Sequence, residues 1–103
     1  MSDTVSSCRT LIIKHFQLPE EELANSGSSI EELEQSLARI IQYLIDQDMP
    51  RLMNAFYKID LDENVFKRIL TTEPTDQMCK SLARAVIKRE LQKIETREKY
   101  KDN

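Results

Sequence analysis

The sequence predicts an all-α protein: a small orthogonal or irregular bundle of four to five helices, with a long C-terminal helix. Three observations carry that reading. Apolar residues recur at spacings of three and four in segment after segment, as one-sided helices require. One glycine and three prolines leave few turns for a β protein, and Val and Thr are sparse beside Leu, Ile, Glu and Lys. Beyond Pro74 the chain runs to its end with neither a glycine nor a proline. At 103 residues, with 40% apolar and 32% charged side chains, the chain is long enough for one core and too short for two.

The first segment is Thr4 to Phe16, where Val5, Cys8, Leu11, Ile12 and Phe16 fall at helical spacing. The run Leu11-Ile12-Ile13 is equally compatible with a short strand, and periodicity leaves both open. Residues 17–29 form the main loop. Pro19 and the acids after it suit a single helical turn, and Asn25-Ser26-Gly27 breaks the chain. Ser28 or Ser29 can cap the next helix, with Glu31 and Glu32 three residues on. That helix is the cleanest in the chain: Ile30, Leu33, Leu37, Ile40, Ile41, Leu44 and Ile45 make one stripe, with Glu32, Arg39, Tyr43 and Asp46 opposite. A stripe of this width packs against more than one neighbour. Asp48 and Pro50 are placed as cap and first turn of a short helix carrying Leu52, Met53, Phe56, Tyr57 and Ile59. Asp60 and Glu63 are spaced as a capping box, after which Leu61, Val65, Phe66, Ile69 and Leu70 continue at helical spacing.

Pro74 to Tyr100 reads as one long helix, opened by Thr72-Glu73-Pro74-Thr75-Asp76. At about 1.5 Å per residue it is a rod of roughly 40 Å. Its apolar face comprises Met78, Cys79, Leu82, Ala83, Ala85, Val86 and Ile87. Continued past Lys88, that face meets Arg89, Glu90, Lys93 and Arg97, with Leu91 and Ile94 on one edge. Residues 1–103 are therefore expected to form a single domain, with 89–103 extending beyond its core. The same segment is the candidate interface: Arg89, Glu90, Leu91, Lys93, Ile94, Arg97 and Tyr100 would dock on another chain, most simply a second copy.

The stretches 52–60 (LMNAFYKID) and 86–94 (VIKRELQKI) resemble a pattern in small uncharacterised helical proteins of Bacteroidetes-type bacteria. The likeness covers about the second half of the chain. It implies a bacterial, cytoplasmic protein, and it assigns no functional residue.

Chemistry-bearing motifs are few. Cys8 and Cys79 stand 71 positions apart without a CxxC pair, and His15 is the single histidine, too few ligands for a zinc set. Two reduced thiols acting as small hydrophobes are expected; a nucleophilic Cys with His15 lacks a recognisable orienting acid. Asp60-x-Asp62-x-Asn64 matches the start of an EF-hand loop, but Val65 stands where glycine must turn and Thr71 where a glutamate must bind. Gly27-Ser28-Ser29 before a helix faintly resembles the attachment serine of acyl carrier proteins, without the Asp-Ser-Leu that marks it. No catalytic, cofactor or metal residue is assigned, and no cofactor is expected. No apolar run is long enough to span a membrane, and the N-terminus lacks the features of a secretory signal. The expected location is the cytoplasm.

Charge is uneven. Residues 1–64 hold 12 acids and 5 bases, and residues 65–103 hold 6 acids and 10 bases. Lys80, Arg84 and Lys88 make one row at four-residue spacing, and Arg89, Lys93 and Arg97 another. Such rows could meet phosphates, but intrahelical pairing and a solvated face explain them as well. The sequence thus points first to a small helical protein-interaction or assembly module without catalysis. Its partner would be a protein, itself or another, and not a membrane. A nucleic-acid-associated accessory protein comes second; an acyl-carrier-like protein or a thiol enzyme is remote.

Overall fold

The computed structural model describes residues 4–19, 21, 23 and 29–101, with side chains to Arg97. Five α-helices follow in order: α1 (Thr4–Phe16), α2 (Ile30–Gln47), α3 (Met49–Ile59), α4 (Glu63–Thr72) and α5 (Thr75–Lys101). No strand occurs among the described residues. The ambiguous Leu11-Ile12-Ile13 run is helical: Cys8, Ile12 and Phe16 are fully buried while Thr10 and Lys14, which a strand would place on the same face, are exposed.

The caps explain most boundaries. Ser29 accepts a hydrogen bond from the Glu32 amide at 3.2 Å and opens α2. Asp48 alone separates α2 from α3. Its amide donates to the Leu44 carbonyl at 2.8 Å, while its side chain accepts from the Arg51 amide at 3.3 Å. The expected capping box at Asp60 and Glu63 does not form. Asp62 is the cap of α4, accepting from the Asn64 amide at 2.9 Å, and Asp60 instead ends α3 in the left-handed conformation, φ 62°. Ser28 and Asn25-Ser26-Gly27 lie outside the described residues.

Two helix ends share one construction. At Gln17 (φ 57°) and at Asp60 the chain turns left-handed without a glycine. In each, the amide of the next leucine closes a wide turn: Leu18 onto the Ile13 carbonyl and Leu61 onto the Phe56 carbonyl, both at 3.0 Å. Each end is then held by an arginine from a later helix. Arg51 of α3 donates to the Phe16 and Gln17 carbonyls. Arg89 of α5 donates to the Asp60 carbonyl at 3.2 Å and to its carboxylate at 3.3 Å. A cation at the negative end of a helix dipole offsets part of the strain of a non-glycine left-handed residue.

The α2 stripe supplies one wall of the core through Leu33, Leu37, Ile41 and Leu44. Leu52, Phe56 and Ile59 of α3 and Phe66 of α4 supply another; the Phe56 and Phe66 rings lie 5.0 Å apart, and Tyr57 meets Phe66 edge-on. Leu23, from the long loop, is also fully buried. α5 packs against all four other helices and runs antiparallel to α2. The longest dimension of the molecule, 42 Å, is about the length of this helix. No helix among the described residues is long and apolar enough to cross a membrane.

Candidate functional site

α5 has an inner and an outer face, and the side chains with chemical potential divide between them. The inner face does not stop at Lys88, as the sequence pattern implies. It continues through Glu90, with no exposed surface, to Ile94, at 8% exposure. The positions are in phase: Glu90 follows Val86 by four residues and Ile94 follows Glu90 by four, so all three point the same way. The helix leaves its core at Glu95; Glu95, Thr96 and Arg97 are exposed.

Glu90 is the one buried charged side chain among the described residues. Its Oε2 lies 2.7 Å from Nδ1 of His15 on α1, a contact that requires a proton between the two atoms. Its Oε1 is buried with no hydrogen-bond partner. The acid that would orient His15 therefore exists, 75 residues away in sequence. It does not complete a thiol–imidazole pair. Cys8 and His15 are seven residues apart on one helix, about 10 Å along its axis. Burial, and then the nearby Glu90 charge, push the Cys8 thiol up to about 12, so it stays protonated. Cys79 donates its thiol to Gln42 Oε1 at 3.2 Å, and burial followed by the Asp46 charge raises it too. Both cysteines are free and buried. Among the described residues no three His, Cys, Asp or Glu side chains come together as a metal site.

The predicted interface residues separate in space. Glu90 and Ile94 face inward. Arg89 holds the end of α3, and Lys93 donates to the Lys58 carbonyl there at 3.4 Å. Leu91 is half-buried in a groove between α2 and α5 that also touches Ile30 and Ile87. Arg97 is exposed, and the Tyr100 side chain lies outside the described residues.

The outer face is open and basic. Lys80, Arg84 and Lys88 are exposed at four-residue spacing. Arg84 reaches Glu34 of α2 at 3.1 Å across the surface. On the other flank, between α4 and α5, lies a groove of about 410 Å³ with Arg68, Arg84, Lys88 and Arg89 around Val65, Ile69 and Ala85. Arg68 was not singled out in the sequence. The signal lay in its position three residues after Val65, on the helix that precedes α5 across a short turn. Compared with family models, with curated proteins and with solved structures, the chain finds no significant match in any of the three.

Proposed function

We propose that this chain is a helical protein-interaction or assembly module without catalysis. One observation carries the reading: the groups able to react are committed inward, while the outer face of α5 is left open with its cations. Cys8 and Cys79 are buried and protonated, and His15 is held on Glu90. The partner is a protein, a second copy or another chain. Capture of the tagged full chain from its native host, with sedimentation of the purified protein over a range of concentrations, tests this. A stoichiometric protein partner or a concentration-dependent dimer is expected.

A nucleic-acid role is the second reading, favoured by the exposed row Lys80, Arg84 and Lys88. Against it, Glu34 already engages Arg84, and Glu31 and Asp76 border the same side of α5. The net charge of −3 adds a general repulsion toward a polyanion. Nucleic acid retained through purification at low salt and released by high salt would replace the first reading with the second.

A further inference from the structure

We propose that the groove between α4 and α5 docks an acidic amphipathic helix from a partner protein. The inference rests on the reading of the chain as an interaction module and gives that partner its chemistry. Four cations stand around the groove, Arg68, Arg84, Lys88 and Arg89, against one acid, Asp62. They are not equally available. Arg89 is engaged with Asp60 and Gln92, and Arg84 lends one nitrogen to Glu34. Arg68 on α4 and Lys88 on α5 have exposed side chains with no hydrogen-bonding or ionic partner among the described residues. These two cations on opposite walls of one groove have no partner among the described residues and leave a local excess of positive charge, beside Asp62 and the Ser81-bound Glu73.

The floor is apolar. Val65 and Ala85 are half-buried there, beside the more deeply buried Leu61 and Ile69. Ala85 is small, so a third backbone can approach α5 closely at this point. A channel between two packed helices is a natural seat for a third helix laid with its apolar stripe downward. Arg84 and Lys88, one turn apart and about 6 Å along the axis, match carboxylates at i and i+4 on such a helix. A nucleic acid would meet the same cations, but the apolar floor of Val65, Ile69 and Ala85 gives a phosphate backbone nothing, whereas it accepts the apolar stripe of a helix. A second copy would need an exposed helix with an apolar stripe and flanking acids. In α2, the most acidic candidate, that stripe is in the core.

The test uses the full chain and a labelled helical peptide of about 15 residues, with leucines on one face and glutamates flanking them. A Glu-to-Gln version of the peptide and a labelled single-stranded oligonucleotide are the comparators. Binding that weakens with salt is expected, with amide shifts confined to α4 and the facing side of α5. Arg68→Glu with Lys88→Glu should lower affinity at least about tenfold; both positions are exposed, so circular dichroism and the unfolding midpoint should stay as in the parent. Lys14→Glu, on exposed α1 surface, should change nothing. Absence of peptide binding, equal binding of the Gln peptide or of the double variant, shifts elsewhere, or tighter binding of the oligonucleotide each overturn the proposal. Should the groove fail in this way while capture from the host still yields a protein partner, the interaction reading stands with a different surface. Loss of both removes the two together.

Discussion

Charged residues fall on both faces of α5, and the two faces use them in opposite ways. The inner face holds one, Glu90, with a single partner and one oxygen that has none. The outer face holds several with water as an alternative partner, and its ion pairs are exchangeable. Arg84 and Glu34 meet with the guanidinium largely exposed. Position, not charge count, sets what a charge is worth. In a core, the remaining partner of a broken pair stays buried and unsolvated; on a surface, solvent takes the place of whichever partner is lost.

The buried pair is most exposed to substitution at His15. His15→Ala strands the Glu90 carboxylate and should destabilise the fold by about 3–5 kcal/mol at neutral pH, a large share of what a domain this size has in reserve. Urea unfolding measures it. Replacing the pair together, His15→Leu with Glu90→Met, should recover most of that loss or exceed the parent, because no buried charge remains. A double variant no more stable than His15→Ala would mean that the pair specifies the packing and is more than an isolated ionic contact.

Next in size is the contrast between neighbours on α5. Ile94→Ala removes a buried side chain and should cost about 2–4 kcal/mol, whereas Leu91→Ala, half-buried at the groove, should cost about 1 kcal/mol or less. The same contrast selects the reagent for self-association. Leu91→Asp tests an interface, while Ile94→Asp tests the core, and sedimentation of a variant carrying both would confuse unfolding with dissociation.

Much of this architecture can be read from the residues, and the exceptions have physical causes. The α2 stripe, the Ser29 and Asp48 caps and the uninterrupted α5 follow from spacing and capping chemistry that are local in sequence. An acid after a helix can either cap the next one or end the last one left-handed, and Asp60 does the second. Arg89, which selects the second option, comes from 29 residues away. Glu90 sits in phase with Val86 and Ile94, so the stripe was visible, but a charge in it looks like the end of a core. Only a partner makes it continuous with the core, and nothing local links His15 to a residue on the last helix. Cys8 shows the same limit: a thiol seven residues before a histidine suggests chemistry until the helix places them two turns apart.

The thiols give a subtler test of the sealed face. With Cys8 pushed up to about 12, alkylation of the folded protein near pH 8.5 should leave it unlabelled, and denaturant should expose both cysteines. The sign of the pH effect follows. The unfolded thiol ionises around its ordinary value of 9.0, while the folded one keeps its proton. Stability from this group is therefore complete below pH 9 and declines as pH rises from there toward 12. Unfolding midpoints at pH 8 and pH 10 should differ in that direction. The smallest expected effect belongs to the outer face: Arg84→Ala, which removes an exposed pair with Glu34, should move stability by no more than about 0.5 kcal/mol.

The arginines that hold the two left-handed helix ends have a consequence for how the chain is made. Each comes from the helix two steps later: Arg51 of α3 secures the end of α1, and Arg89 of α5 secures the end of α3. A polypeptide leaves the ribosome N-terminus first, at a rate of about 5–20 residues per second. While α1 and α2 emerge, the carbonyls of Phe16 and Gln17 await their cation; by the time Arg51 supplies it, the end of α3 is waiting in turn. The final clasp arrives only with α5, which also brings Glu90 to His15 and touches every earlier helix. A nascent chain stalled before Arg89 therefore carries the first half of α5 but lacks its second clasp and the Glu90 contact to His15.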